Sequence, residues 1–208
     1  IEAISPLTHQ TLTKWGLYDN AKRVCSVNEF RIYTKFDHNR TPKAEMAHGK
    51  VEKTNAARLL DRAKIAYELV PYRVDEEHLA ATHVAEELGE DIGRVFKTLV
   101  LRGDRTGHFV CVVPADHEVD LKAAARVSGN KKADLVPVKE LLPLTGYVRG
   151  GCSPVGMKKR FRTLIDETCV LWDTIFISGG KRGYQLELAP DDLIAFCGAT
   201  VAAITRED

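Results

Sequence analysis

A chain of 208 residues with 30 Lys and Arg against 29 Asp and Glu, a net charge of +1, has room for one substantial core and carries no whole-chain field. That balance excludes recruitment of nucleic acid or acidic partners by overall charge, so any RNA contact has to come from local clusters. The five cysteines, Cys25, Cys111, Cys152, Cys169 and Cys197, are odd in number and never spaced Cys-x-x-Cys, which argues against a disulfide framework or zinc site and fits a reducing, cytoplasmic setting. No stretch approaches the ~20 apolar residues of a membrane span, so no membrane partner is expected.

Residues 1–50 read as an N-terminal extension, with isolated apolar residues, no sustained period and a polar Asn39-Arg40-Thr41-Pro42-Lys43 run. The segment is expected to be a flexible arm or translated sequence upstream of the true start. A packed accessory element using Trp15, Tyr18, Phe30, Tyr33 and Phe36 is the alternative. The compact domain is expected over 51–208.

Thr54 is placed to cap a helix running to Lys64, with Ala57, Leu60 and Ala63 towards one face and Leu59 beside them. A strand over Tyr67–Val74 and a helix over Leu79–Leu88, stopped by Gly89, come next. Val95–Arg102 and His108–Pro114 form a hairpin about Gly103-Asp104-Arg105-Thr106-Gly107. Asp120 caps a short helix ended by Gly129. A short strand near Tyr147–Arg149, a glycine-rich loop and a strand at Arg162–Asp166 precede a second hairpin, Thr174–Ser178 with Tyr184–Leu188. A helix from Pro190 to Cys197 and an apolar stretch, Thr200–Ile204, complete the order. Strand pairs and helices without a regular βαβ rhythm predict an α+β fold: a mixed, mostly antiparallel curved sheet flanked by helices.

Within the first hairpin, alternation puts Lys97 on the face of Val95, Leu99 and Leu101. An ammonium aimed at a core is costly without a partner or ligand, which marks a site. The other reading is a snorkelling lysine whose amine reaches water. In Thr145-Gly146-Tyr147-Val148-Arg149-Gly150-Gly151-Cys152-Ser153-Pro154-Val155-Gly156, paired glycines would let main-chain N–H groups approach a carbonyl or oxyanion, or simply supply a bend. The run Lys158-Lys159-Arg160, with Lys181-Arg182, offers a phosphate-binding rim; solvated charge is the plain alternative. No histidine stands in a recognisable context for a nucleophile partner, and no metal or other cofactor is expected.

Taken together, Phe96-Lys97-Thr98-Leu99, Asp120-Leu121-Lys122, Thr145-Gly146-Tyr147, Gly150-Gly151-Cys152-Ser153-Pro154, Lys158-Lys159-Arg160 and Ser178-Gly179-Gly180-Lys181-Arg182-Gly183 closely resemble the YbaK family from about Thr54 to the end of the chain. That family comprises trans-editing Cys-tRNA(Pro) deacylases related to the editing domain inserted in bacterial prolyl-tRNA synthetases. The resemblance implies clearance of cysteine from tRNA(Pro), and of Cys-tRNA(Cys), with aminoacyl-tRNA as substrate and prolyl-tRNA synthetase as partner. It implies that Lys97 is the essential lysine and that Gly150 and Gly151 face the aminoacyl ester. Tyr72, Thr98, Tyr147, Cys152, Ser153, Pro154 and Ser178 would line the pocket, and Lys158, Lys159, Arg160, Lys181 and Arg182 would hold tRNA. Cys152 stands where relatives usually carry isoleucine, which speaks against a nucleophilic thiol. The implied route is attack by the substrate's own thiol on its ester carbonyl. An Ala-tRNA(Pro) deacylase of the same superfamily and a non-catalytic tRNA- or synthetase-binding module are the alternatives.

Overall fold

Two sheets, five helices and two 3₁₀ turns make up residues 52–74 and 81–206, which the computed structural model describes. In chain order the elements are α1 (Asn55–Ala63), β1 (Glu68–Pro71), α2 (Ala81–Leu88), β2 (Phe96–Gly103), β3 (Gly107–Pro114), α3 (Leu121–Ser128), β4 (Ala133–Leu135), α4 (Val138–Thr145), β5 (Arg162–Asp166), β6 (Ile175–Ser178), β7 (Tyr184–Leu188), α5 (Pro190–Cys197) and β8 (Thr200–Ala202). The α+β class is as expected. The strands divide between two sheets, however, ordered β4-β2-β3-β5-β8 and β1-β7-β6. All pairings are antiparallel except β3 with β5 and β5 with β8. A single parallel bridge, Val95 to Phe176, joins the start of β2 to β6. The expected extension over 1–50 lies outside the described residues, as do Leu79 and Ala80 of the expected second helix.

Local chemistry sets most boundaries. Thr54 Oγ1 accepts from Ala57 N at 3.2 Å to start α1, and Asp120 accepts from Lys122 N at 2.8 Å and Ala123 N at 3.1 Å to start α3. Gly129, at φ +82°, closes α3 in the left-handed region. Ala63, expected on the buried face of α1, is exposed; Ala56, Ala57 and Leu60 form that face, and the last turn runs past the core.

Residues 147–149, expected as a strand, are irregular, and the element before them is α4, which no sequence pattern announced. Pro137 and Pro143 disguised it: proline inside a helix forfeits a backbone hydrogen bond, so a run containing Pro143 does not read as helical. Val148 remains 44% exposed, whereas Tyr147 is buried. Among the described residues no ladder partner takes up this segment.

The sheets have two covered faces. On one, α1 and α5 pack Ala56, Leu60 and Leu193 against Phe96, Val100, Val112, Ile165, Ile177 and Leu188. On the other, α3 covers Leu101, Phe109, Cys111 and Val113 with Ala124 and Ala125, while α2 covers Val95 and Phe176 with Val84 and Ala85. Lys97 belongs to neither of these two clusters. It emerges on the second face, between the patch under α2 and the patch under α3.

Candidate active site

Alternation along β2 carries Lys97 onto the same face as Val95, Leu99 and Leu101, opposite Val113 on β3. Its side chain is half-buried, and Nζ donates to the carbonyl of Ala115 at 2.8 Å. That carbonyl is held by the hairpin itself, since Ala115 N donates to Val95 O at 2.7 Å. Burial pulls the Lys97 pKa below its ordinary value, and the carboxylates of Asp116 and Glu118 partly oppose the shift. The amine is thus oriented by a neutral acceptor and has no carboxylate in contact among the described residues. Its charge remains available to a ligand.

The Val95–Phe176 bridge also orders the neighbouring strand. Ser178 follows Phe176 by two residues, as Lys97 follows Val95, so both point to the same face just beyond the place where β2 and β6 stop pairing. Ser178 pairs with Gln185 on β7, and Gln185 with Val70 on β1, extending this row across four strands. Tyr72 continues the face from β1, with its N–H donating to Gly183 O at 2.9 Å and its ring packed on the cluster of Val95, Ala115 and Phe176.

The glycine-rich loop reaches the rim of this face through the β6–β7 turn. Arg182 Nε donates to Arg149 O at 3.0 Å, and a Cβ added to Gly151 would lie 3.3 Å from Arg182 N, so the Gly150-Gly151 backbone rests on the turn that follows Ser178. Tyr147 clamps both segments. Its hydroxyl donates to Val155 O at 2.6 Å, and its ring fills the space where a Cβ at Gly180 would fall 3.0 Å away.

Several expected pocket residues turn their side chains elsewhere. Thr98 points to the face opposite Lys97, between Phe96 and Val100, and its buried hydroxyl has no partner among the described residues. Tyr147 and Cys152 lie in the cluster under α1 and α5, where burial pushes the Cys152 thiol and the Tyr147 phenol each up to about 12. Ser153 is fully buried, its hydroxyl accepting from Val155 N at 3.3 Å, and the Pro154 carbonyl accepts from the Cys197 thiol at 3.7 Å. These groups hold the loop from behind.

A family model described as an aminoacyl-tRNA editing domain matches residues 75–196. The chain belongs to the aminoacyl-tRNA editing domain family. It is 45% identical over 157 residues, 76% of this chain and 96% of the other, to an Enterococcus faecalis protein named "Putative Cys-tRNA(Pro)/Cys-tRNA(Cys) deacylase EbsC". It is also 27% identical over 130 residues to a proline–tRNA ligase of Cupriavidus necator, covering 61% of this chain and 22% of that enzyme. A solved structure described as "Crystal structure of a putative trans-editing enzyme for prolyl tRNA synthetase" shares the fold, with TM-score 0.62 and 24% identity over 73% of this chain and 97% of that one.

The expected RNA-holding cations of this editing domain are unequal. Lys158 lays its stem over Gly146, and its Nζ lies 3.4 Å from Leu142 O at the end of α4, a usual place for a cation near free helix carbonyls. Arg182 is engaged with Arg149 O, and the Lys181 amine stands 5.9 Å from the Tyr184 ring centroid. Lys159 and Arg160 instead border a pocket of about 200 Å³ with Phe161, Phe196 and Cys197. Among the described residues no group of three or more His, Cys, Asp or Glu side chains could hold a metal ion, and no helix is long and apolar enough to cross a membrane.

Sequence reasoning passed over two residues on the Lys97 face of β7. Glu187 is engaged through one oxygen: Arg94 and Thr174 donate to its Oε1 at 2.8 and 2.6 Å, and the same Arg94 lies over the Phe176 ring at 5.0 Å. Gln185 is only 6% exposed, and its Oε1 has no partner among the described residues. Leaving such an acceptor unmade costs about 1–3 kcal/mol. The signal was present in Tyr184-Gln185-Leu186-Glu187-Leu188, where polar residues alternate with apolar ones on a strand that proves to be central in its sheet.

Proposed function

We propose that this editing domain clears mischarged Cys-tRNA(Pro), and Cys-tRNA(Cys), by letting the substrate's thiol cleave its own ester. The observation that carries this reading is the half-buried Lys97 amine, oriented by Ala115 O just beyond the Val95–Phe176 bridge. The 45% identity to the Enterococcus faecalis protein supports the same substrates.

In the proposed reaction the cysteinyl sulfur attacks the ester carbonyl carbon, a C–S bond forms, and the C–O bond to the terminal ribose breaks. The thiol proton passes to the departing ribose oxygen, which leaves a small cyclic thiolactone and free tRNA. The protein's task is to hold a near-attack geometry, an intramolecular advantage worth several kcal/mol in well-oriented cases. The Lys97 ammonium and main-chain N–H groups of the Gly150-Gly151 turn would carry the charge that develops on the carbonyl oxygen. Tyr72 and Ser178 would border the aminoacyl group. Lys159 and Arg160, with Lys158, Lys181 and Arg182 around the rim, would hold tRNA phosphates. Prolyl-tRNA synthetase is the proposed partner and cytoplasm the proposed location, because a factor on a near-neutral chain gains from capturing product at its source.

Incubation of the purified protein with Cys-, Ala- and Ser-charged tRNA(Pro), with and without synthetase, tests the reading. Rapid loss of the cysteinyl ester alone is expected, since alanine has no nucleophile and serine a weaker one at neutral pH. Equally rapid clearing of Ala-tRNA(Pro) would refute the thiol-assisted route. Protection of the ester without turnover would favour a binding module.

A further inference from the structure

We infer that Gln185 is a specificity-determining residue whose carboxamide oxygen receives the α-ammonium of the aminoacyl group. The inference rests on the deacylase reading above and assigns the part of the substrate that Lys97 and the glycine turn leave unserved.

A cysteinyl ester brings three polar groups to the site. Its thiol is the nucleophile and its ester oxygens take the cationic and main-chain donors, while the α-ammonium carries donors only and needs an acceptor. Along the face that Lys97 shares, the register runs through Ser178 on β6 to Gln185 on β7. Ser178 Oγ already accepts from Gly180 N at 3.3 Å, and Glu187, two residues further along β7, is held by Arg94 and Thr174. Gln185 Oε1 is the buried acceptor on this row that has no partner among the described residues. Its neutrality matters. A carboxylate here would compete for the Lys97 ammonium, whereas a carboxamide receives a substrate cation without drawing Lys97 from the ester. Only 6% of Gln185 is exposed and Oε1 is itself closed to solvent, so the carboxamide has to turn outward to meet the ammonium.

The test compares wild type and Gln185→Leu on Cys-tRNA(Pro) and N-acetyl-Cys-tRNA(Pro) under single turnover, with thermal denaturation of each protein. Wild type is expected to cleave the free-amine substrate at least ~10-fold faster than the acetylated one, since an interaction of charge-assisted strength is lost. In Gln185→Leu that ratio should collapse towards one by slowing of the free-amine substrate, while the melting temperature stays level or rises because an unmade polar contact is removed. Gln185→Glu, which keeps an acceptor but draws on the Lys97 ammonium, should preserve the free-amine preference while slowing both substrates. If Gln185→Leu does not fold, Gln185→Met carries the same comparison. An unchanged ratio in the apolar variant, or equal slowing of both substrates, would overturn the assignment while wild-type turnover leaves the deacylase reading standing. No turnover by wild type would overturn both.

Discussion

Lys97 on β2 and Ser178 on β6 each stand two residues past the Val95–Phe176 bridge, which joins the two sheets. Parallel pairing gives both side chains the same face, and among the described residues no further ladder forms between these strands beyond that bridge. A cation at the margin of two helix-covered patches can keep its charge without a buried counter-ion. It can therefore serve a ligand.

Lys97→Met should reduce single-turnover deacylation of Cys-tRNA(Pro) by about 10²–10³-fold, the range seen when one preorganised donor to a developing oxyanion is lost. Circular dichroism and the unfolding midpoint should be unchanged or slightly improved, because Lys97 contacts a carbonyl and is partly desolvated. Lys97→Arg should not restore the rate, since a planar guanidinium cannot place its charge where the compact ammonium sits.

The lowered pKa of Lys97 separates activity from stability on the alkaline side. Deacylation that needs the ammonium should fall as pH rises through that lowered value, below the ordinary 10.5. Stability attributable to this residue should move the other way. The unfolded chain binds the Lys97 proton more tightly than the folded chain does, so between the two pKa values the residue's contribution rises with pH. Rate profiles and denaturant titrations of wild type against Lys97→Met check both signs. A wild-type-minus-variant unfolding free energy that falls across that window would contradict the burial account.

Much of this arrangement was legible from residues alone, where local chemistry decides. The β2–β3 hairpin pairs Gly103 with Gly107 and Lys97 with Val113, as the alternation and the glycine-bounded turn required. Thr54 and Asp120 cap the helices they precede. What stayed hidden depends on contacts remote in sequence. The bridge that aligns Lys97 with Ser178 joins residues 95 and 176, and no periodicity reports such a pairing. Cys152, adjacent to the glycine pair, looked like a pocket residue because proximity along the chain says nothing about which side of a loop faces the core. α4 was lost to Pro143.

Cys152→Ala should retain deacylation within about twofold and destabilise the protein by about 1 kcal/mol, the transfer value of a small buried apolar group. The thiol sits in the cluster under α1 and α5 and is pushed up to about 12, so almost none is thiolate near neutral pH. Alkylation of native protein should be slow at this residue, as mass spectrometry of peptides after timed iodoacetamide exposure would report. A rate loss of 100-fold in Cys152→Ala would restore the nucleophile reading.

The first hairpin turn is pinned from outside by Asn130, whose Oδ1 accepts from Arg105 N at 2.9 Å and Thr106 N at 2.8 Å while Nδ2 donates to Thr106 Oγ1 and Ser128 Oγ. Asn130→Ala leaves these groups short of partners at a site that is 7% exposed, and should cost about 2–3 kcal/mol. Gly103→Ala should be at least as harmful, since its Cβ would fall 2.2 Å from Asn130 Cγ. Urea unfolding should show a lower midpoint at unchanged slope for both.

Gly151→Ala distinguishes a functional loop from a bend. A Cβ at this position meets main chain, Arg182 N at 3.3 Å and Lys181 Cα at 3.5 Å, so the β6–β7 turn has to yield by a few tenths of an ångström. Gly151 is absent from the positive-φ glycines, so alanine adds crowding without backbone strain. The stability loss should be small, under about 1 kcal/mol, as for modest overpacking at a site that can relax. Catalysis should suffer more, because displacement of a turn that immediately follows Ser178 disturbs a near-attack geometry that tolerates little error. About a tenfold fall in single-turnover rate is expected with a melting temperature within a few degrees of wild type. If rate and stability fall together, or the rate holds, the loop is a bend alone and the main-chain donors of the proposed reaction have to be sought elsewhere.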